Sequence, residues 1–126
     1  MQTTYTITIP IPPTALSPNS RAHWRALAKA KKLYRTRAML GARAAMLCRE
    51  PRWKSAKTSI RWFTKTARHP DPDNALASLK AAFDGFRDAG LIDDDNGLAH
   101  DMIVFAKDAK DPRVEITVEG TDDPRG

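Results

Sequence analysis

The sequence predicts a small α/β domain, a mixed four-stranded sheet in the order β-α-β-α-β-β with two helices packed on it. Three observations carry that expectation. Polar and apolar residues alternate over short segments, as they do in half-buried strands. Two longer segments repeat apolar residues at the helical period. Strand-like and helix-like segments also alternate along the chain, which favours one layered sheet. A chain of 126 residues can build one hydrophobic core but not two. Residues 1–120 are therefore expected as a single domain, with 121–126 as a frayed, apolar-poor tail.

The first strand covers 3–10, where Tyr5, Ile7 and Ile9 alternate with threonines. Pro10, Pro12 and Pro13 end it, and the loop through Ser17-Pro18-Asn19-Ser20 leads into a helix from about Arg21 to Arg49. Asn19 or Ser20 is the expected cap and Pro51 the stop signal. Trp24, Leu27, Tyr34, Ala38, Ala42, Ala45 and Met46 share one face of that helix, while Arg21, Arg25, Lys29, Lys32 and Arg43 share another. Gly41 leaves open two shorter helices. The second strand covers 56–67, with Ile60, Trp62 and Thr64 on one side and Arg61, Phe63 and Lys65 on the other. The second helix starts near Asp73 or Asn74, buries Leu76, Leu79, Phe83 and Phe86, and closes at Ala89-Gly90, glycine being the usual residue in a left-handed helix end. A third strand covers Met102 to Ala106; after a turn at Asp111-Pro112, a fourth runs through Val114, Ile116 and Val118.

Composition narrows the function classes. The net charge is +6, but it is unevenly spread. Residues 1–65 hold 14 Lys and Arg against one acid, Glu50, whereas residues 66–126 hold 7 against 14 acids. Such a basic half is an electrostatic footprint for a polyanion, nucleic acid or an anionic membrane. No apolar stretch approaches the roughly 18 residues of a membrane span, and the alternating N-terminus reads as a strand and not as a signal peptide. The single cysteine, Cys48, excludes an internal disulfide framework and a cysteine zinc site, and reads as a small core residue. An intracellular, cytoplasmic protein is expected. Without a glycine-rich phosphate loop, ATP use is not expected.

The acidic half concentrates its chemistry in two loops flanking the second helix. Asp71-Pro72-Asp73-Asn74 places two carboxylates where a loop enters the helix, and Asp93-Asp94-Asp95-Asn96 follows its end. Hard divalent cations take carboxylate oxygens and keep several waters, so two or three such side chains suffice for Mg²⁺. Each loop also has a plain structural explanation: an acidic helix cap with proline behind it, and the turn former Asp95-Asn96-Gly97. A calcium EF-hand loop fails, because counting from Asp93 puts Gly97 at the fifth position and not the sixth. On a continuous helix Lys80 lies about 20° around from Asp73 and two turns on, so its ammonium can lean back toward the carboxylates. It would neutralise phosphate there, screen the acids, or lie along the surface as an ordinary lysine. His23, His69 and His100 are scattered; only His69 neighbours the acidic motif, and local hydrogen bonding is its expected role. Trp24 is expected as a hydrophobic anchor, stacking on an unpaired base being the alternative.

These stretches together resemble a known family. Asp71-Pro72-Asp73-Asn74, the run Leu79-Lys80-Ala81-Ala82-Phe83-Asp84-Gly85-Phe86, and Asp88-Ala89-Gly90-Leu91-Ile92-Asp93-Asp94-Asp95 are similar to the signature of the RusA-type endodeoxyribonucleases, Holliday-junction resolvases often carried by prophages. The opening Tyr5-Thr6-Ile7-Thr8-Ile9-Pro10, with Pro12-Pro13 and the Asn/Arg-rich loop, resembles their first strand and loop, so the likeness runs from Tyr5 to Val118. The resemblance implies Asp71, Asp73 and Asp95 as catalytic, metal-holding residues, with Lys80 as a fourth catalytic member and Asp94 as the other half of the acidic pair. Ala77 stands where the family pattern has its lysine, and Lys80 comes a turn later.

The implied activity is hydrolysis of branched DNA at a four-way junction by paired nicks, dependent on Mg²⁺ or alternatively Mn²⁺, in recombination and repair. Arg21, Arg25, Lys29, Lys32, Arg61, Lys65 and Arg68 would hold the DNA backbone. Two symmetric cuts by so small a chain call for a twofold homodimer, as in the family. Trp53, Trp62 and Phe63 are candidates for its surface, although core burial suits most of them. The alternatives are a non-catalytic binder of branched or double-stranded DNA and a metal-dependent hydrolase of a small phosphate ester; the uneven charge favours a large polyanion over the ester.

Overall fold

The alternating segments form the sheet as expected, with the longest strand pairs at its centre. The structure is a computed structural model describing residues 2–47 and 49–121. Cys48 and residues 122–126 lie outside the described residues, and with them the core role expected of Cys48 and most of the expected tail. Strand β1 (Gln2–Ile9) pairs antiparallel with β5 (Arg113–Thr121), with Ile7 opposite Ile116 and Ile9 opposite Val114. Strand β2 (Ala56–Thr64) lies on the other side of β5, also antiparallel, with Ile60 opposite Ile116. Thr121, assigned to the tail in the sequence reading, is the last residue of β5.

The outer side of β2 differs from expectation. It is covered in parallel by two short strands, β3 (Leu98–His100) on its first half and β4 (Val104–Lys107) on its second. The sheet therefore has five strands in four positions, the fourth position being interrupted at Asp101–Ile103. β3 is only three residues long, too short for alternation to announce it.

Pleating places Ala56, Thr58, Ile60, Trp62 and Thr64 on the buried face of β2, joined by Ile7, Ile9, Val114, Ile116 and Val118 from its neighbours. Arg61 and Phe63 point the other way, and the Arg113 guanidinium lies over the Phe63 ring at 4.1 Å. Trp53 and Trp62 belong to the core.

Helix α1 (Trp24–Met46) packs on that core through Tyr34, Ala38, Ala42 and Met46. Burial pushes the Tyr34 phenol pKa up, and its hydroxyl donates to the Pro10 carbonyl at 2.6 Å. Gly41 does not break the helix; the absent side chain lets it pass Ile7 and the Thr8 carbonyl. The helix starts later than expected. The His23 ring accepts from Arg25 N–H and is the cap, while the Ser17 and Ser20 hydroxyls close local turns onto Asn19 and Ala22 N–H. Trp24 is not a core anchor: it is 66% exposed, because the first three turns of α1 bury no residue completely.

The second predicted helix is divided at Leu79 into α2 (Pro72–Ser78) and α3 (Lys80–Asp88). Leu79 N–H bonds to Leu76 O, three residues back, and its φ of −90° and ψ of −1° leave the α-helical range. Its side chain is fully buried, so the tightened turn is held by packing. Gly85 lets α3 press directly on the α1 backbone near Arg35 and Met39, and Arg35 bridges to Asp88 with both carboxylate oxygens engaged, at 2.5 and 2.8 Å. Gly90, at φ 85°, takes the left-handed turn expected of it. Among the described residues no helix is long and apolar enough to cross a membrane.

Candidate functional site

The first acidic motif lies at the entrance to α2. Asp71 is the residue before the helix and Pro72 its first residue, as the capping explanation requires. Yet the Asp71 carboxylate makes no capping hydrogen bond. Asp71 and Asp73 are both exposed, and neither side chain has a hydrogen-bond or ion-pair partner among the described residues. Capping thus accounts for the position of Asp71 and leaves both carboxylates without a partner among the described residues.

The second acidic loop is pinned more firmly. After α3 the chain pairs with the segment before β2: Trp53 N–H bonds to Leu91 O, and Asp93 N–H bonds to Trp53 O. Asp95–Gly97 then forms a single 3-10 turn, with Gly97 N–H on Asp94 O, so the expected turn is present. A side chain at Gly97 would collide with the Lys54 carbonyl, which explains glycine there.

Lys80 joins this second loop. Its ammonium donates to Asp95 Oδ2 at 2.9 Å, so among the described acids its hydrogen bond goes to the second loop and not to Asp73. The Lys80 bond holds the Asp95 carboxyl below the usual range, and the same bond raises the Lys80 pKa. Asp84 and Asp94 add smaller attractions to Lys80. Asp95 is largely covered, at 22% side-chain exposure, against 70% for Lys80.

The structure thus brings Asp94, Asp95, Lys80 and Asp84 together and puts Asp71 and Asp73 together, but does not merge the two groups. Seven residues separate Asp73 from Lys80, roughly 10 Å of helix rise. Among the described residues no three His, Cys, Asp or Glu side chains are grouped closely enough to hold a metal ion. The donor chemistry nonetheless suits a hard cation, since Asp71 and Asp73 offer free carboxylate oxygens.

One neighbour of the second loop escaped the sequence reading. His100, at the end of β3, bonds through Nδ1 to the Thr58 hydroxyl at 2.6 Å and stacks on Phe83 at 4.8 Å. Only the β2–β3 register joins these residues, so no local signal marked it. Burial holds the imidazole pKa below its ordinary value, against a smaller upward pull from Asp95. The folded protein therefore binds this proton less readily than the unfolded chain, and stability should be complete above about pH 6.5 and decline as the pH falls below it. Thermal unfolding between pH 7.5 and 5.5 should show that decline, and His100→Gln should flatten it. The lowered carboxylates, Asp88, Asp95 and Asp108, titrate below 3.8, outside that window. His69 plays the local role expected of it, with Nδ1 2.9 Å from Pro70 O and its ring stacked on Phe105 at 4.0 Å.

The expected phosphate-binding residues are exposed. Arg21, Arg25, Lys29, Lys32, Arg61, Lys65 and Arg68 make no ion pair among the described residues. Lys32 lines a cleft of about 760 Å³ between α1 and α3 that also reaches Lys80. Lys65 and Arg68 line a second cleft, of about 410 Å³, at the start of α2. Ser17 and Ser78 belong to both walls, so α2 runs between two basic margins. Arg61 departs from the others, because the β2 pleat puts it on the open face of the sheet, opposite Glu115.

A family model described as endodeoxyribonuclease RusA matches residues 10–119. A protein of Xylella fastidiosa (strain Temecula1), described only as uncharacterized, is 34% identical over 105 residues. That match covers 77% of this chain and 65% of the relative, so the chain spans a little under two thirds of that protein's length.

Proposed function

Because the chain belongs to the endodeoxyribonuclease RusA family, we propose that it hydrolyses phosphodiester bonds in branched DNA, resolving four-way junctions by paired nicks in recombination and repair. The observation that carries this reading is the pair Asp71 and Asp73, exposed carboxylates without partners among the described residues, in the segment whose Pro70 and Asn74 line a cleft with Lys65 and Arg68. Asp71 and Asp73 would hold Mg²⁺, or Mn²⁺ in its place, with Asp95 or Asp94 as a further ligand. When bound, such an ion supplies positive charge to the scissile phosphate and acidifies a water.

The chain's own residues do the rest. Lys80 fixes the Asp95 carboxylate and keeps its own positive charge, and its remaining ammonium protons are free to donate to a phosphate oxygen. Lys32 in the cleft between α1 and α3, Lys65 and Arg68 in the cleft at the start of α2, and the exposed Arg21, Arg25 and Lys29 at the start of α1 would hold the DNA backbone. These six cations predict steeply salt-dependent binding. Six phosphate contacts at roughly −0.9 each give a log–log slope near −5 per protomer. A gel-shift series from 50 to 300 mM NaCl measures it, and a slope shallower than about −2 would remove this surface from the docking account.

Two symmetric nicks require two sites, hence a twofold dimer. The burial of Trp53 and Trp62 takes them out of that contact, whereas Leu33 and Leu40 on α1 and Leu47 just after it are exposed apolar surface. Action on chromosomal or phage DNA fits a cytoplasmic location. A competing reading, a DNA binder without catalysis, draws on the separation of the two acidic groups. Nicking of a synthetic four-way junction in Mg²⁺ or Mn²⁺ tests the choice: symmetric cuts support the nuclease, and tight binding without any cut overturns it.

A further inference from the structure

The cleft beside Asp71 and Asp73 has a second set of features that phosphate binding does not use. Its lining includes apolar surface from Pro12 and Pro13 after β1 and from Trp62 on β2. Trp62 is only 4% exposed, and its indole N–H has no hydrogen-bond partner among the described residues. No fully buried side-chain nitrogen or oxygen lacks a partner among those residues, so that N–H keeps some exposure to solvent, and Trp62 lines the cleft. Asn74, which also lines the cleft, has a side-chain amide with no hydrogen bond to any described group. Lys65 and Arg68 stand at the rim, both exposed and without an ion pair. At about 410 Å³ the cleft falls within the range of small-molecule sites.

We propose that this cleft receives one nucleobase turned out of the stack next to the scissile phosphate, and that Asn74 and the Trp62 N–H read its edge. An apolar slot gives a flat base the contact area it loses on unstacking, and the free amide and indole N–H match the mixed donors and acceptors of a base edge. The rim cations meet the phosphates that flank the turned-out nucleotide. Arg68, Pro70 and Asn74 line the cleft on either side of Asp71 and Asp73 in sequence, so the occupied slot would set which phosphate reaches the carboxylates. The slot thereby makes cutting dependent on base identity. This inference rests on the nuclease reading, which supplies the DNA.

The test is a set of four-way junctions, each carrying one 5-iododeoxyuridine at a successive position around the crossover. Each is bound by the wild-type protein without divalent metal, irradiated, and the adduct mapped by mass spectrometry. One position is expected to give adducts on Trp62 or the 11–14 segment. At that position, competition binding among the four bases should show a preference of about tenfold that Asn74→Ala reduces to under twofold, in the range of a lost bidentate base contact. Bound junctions whose adducts map only elsewhere, for example to Trp24, overturn the slot and leave the DNA reading standing. A wild type without base preference at the crosslinked position, or an Asn74→Ala protein that keeps it, overturns the reading role. If no junction is shifted at all, the proposed function fails and the slot with it.

Discussion

Asp73→Asn is expected to eliminate metal-dependent cutting of a four-way junction while leaving the junction bound. The substitution keeps the size of the side chain and removes one negative charge. Asp73 is exposed and makes no side-chain hydrogen bond or ion pair among the described residues, so its loss should not disturb α2. A carboxylate that served only the helix terminus would be worth under about 1 kcal/mol of stability and nothing in rate. As a metal-holding group it should cost on the order of a thousandfold in single-turnover cleavage, about 4 kcal/mol of barrier. Loss of one negative charge should leave junction affinity equal or slightly higher. Full cutting activity in the Asp73→Asn protein would remove Asp73 from the mechanism; loss of cutting and binding together would point to a structural role.

Gly85→Ala is expected to destabilise the fold severely although alanine is the better helix former. Propensity alone predicts a gain of about 1 kcal/mol in a helix interior. A Cβ at Gly85, however, would overlap the Arg35 carbonyl oxygen and sit 2.9 Å from Met39 N and 3.0 Å from Ala38 Cβ. Two of those three atoms are backbone, so α1 and α3 must separate, loosening the contacts of Ala38 and Phe86 and straining the Arg35–Asp88 bridge. Overpacking of this kind costs up to about 3 kcal/mol, a fall in Tm on the order of 10 °C for a domain of this size. Gly41→Ala is the control. There the nearest atom is a methyl of Ile7 at 3.3 Å, which can move slightly, and the effect should stay within about 1 kcal/mol of zero. Equal effects of the two substitutions in thermal melts would mean that α1 and α3 are not in backbone contact.

Local patterns determined much of this protein. The alternation in Tyr5-Ile7-Ile9, in Ile60-Trp62-Thr64 and in Val114-Ile116-Val118 specified three strands and the face each buries, because a strand's period of two is written in neighbouring residues. The spacing of Tyr34, Ala38, Ala42 and Met46 specified the buried face of α1 in the same way. The acidic motif was equally legible, since Asp71 and Asp73 sit where a proline opens a helix. Three features were decided by residues distant in sequence. The second helix is divided at the buried Leu79, and Lys80 bonds Asp95 fifteen residues on. The parallel register of β2 with β3 set His100 against Thr58. Trp62, expected only as core or interface, also lines a cleft with the 11–13 loop and Asn74 of α2. Periodicity records which face of an element turns inward, whereas the partner it meets there depends on packing between segments tens of residues apart.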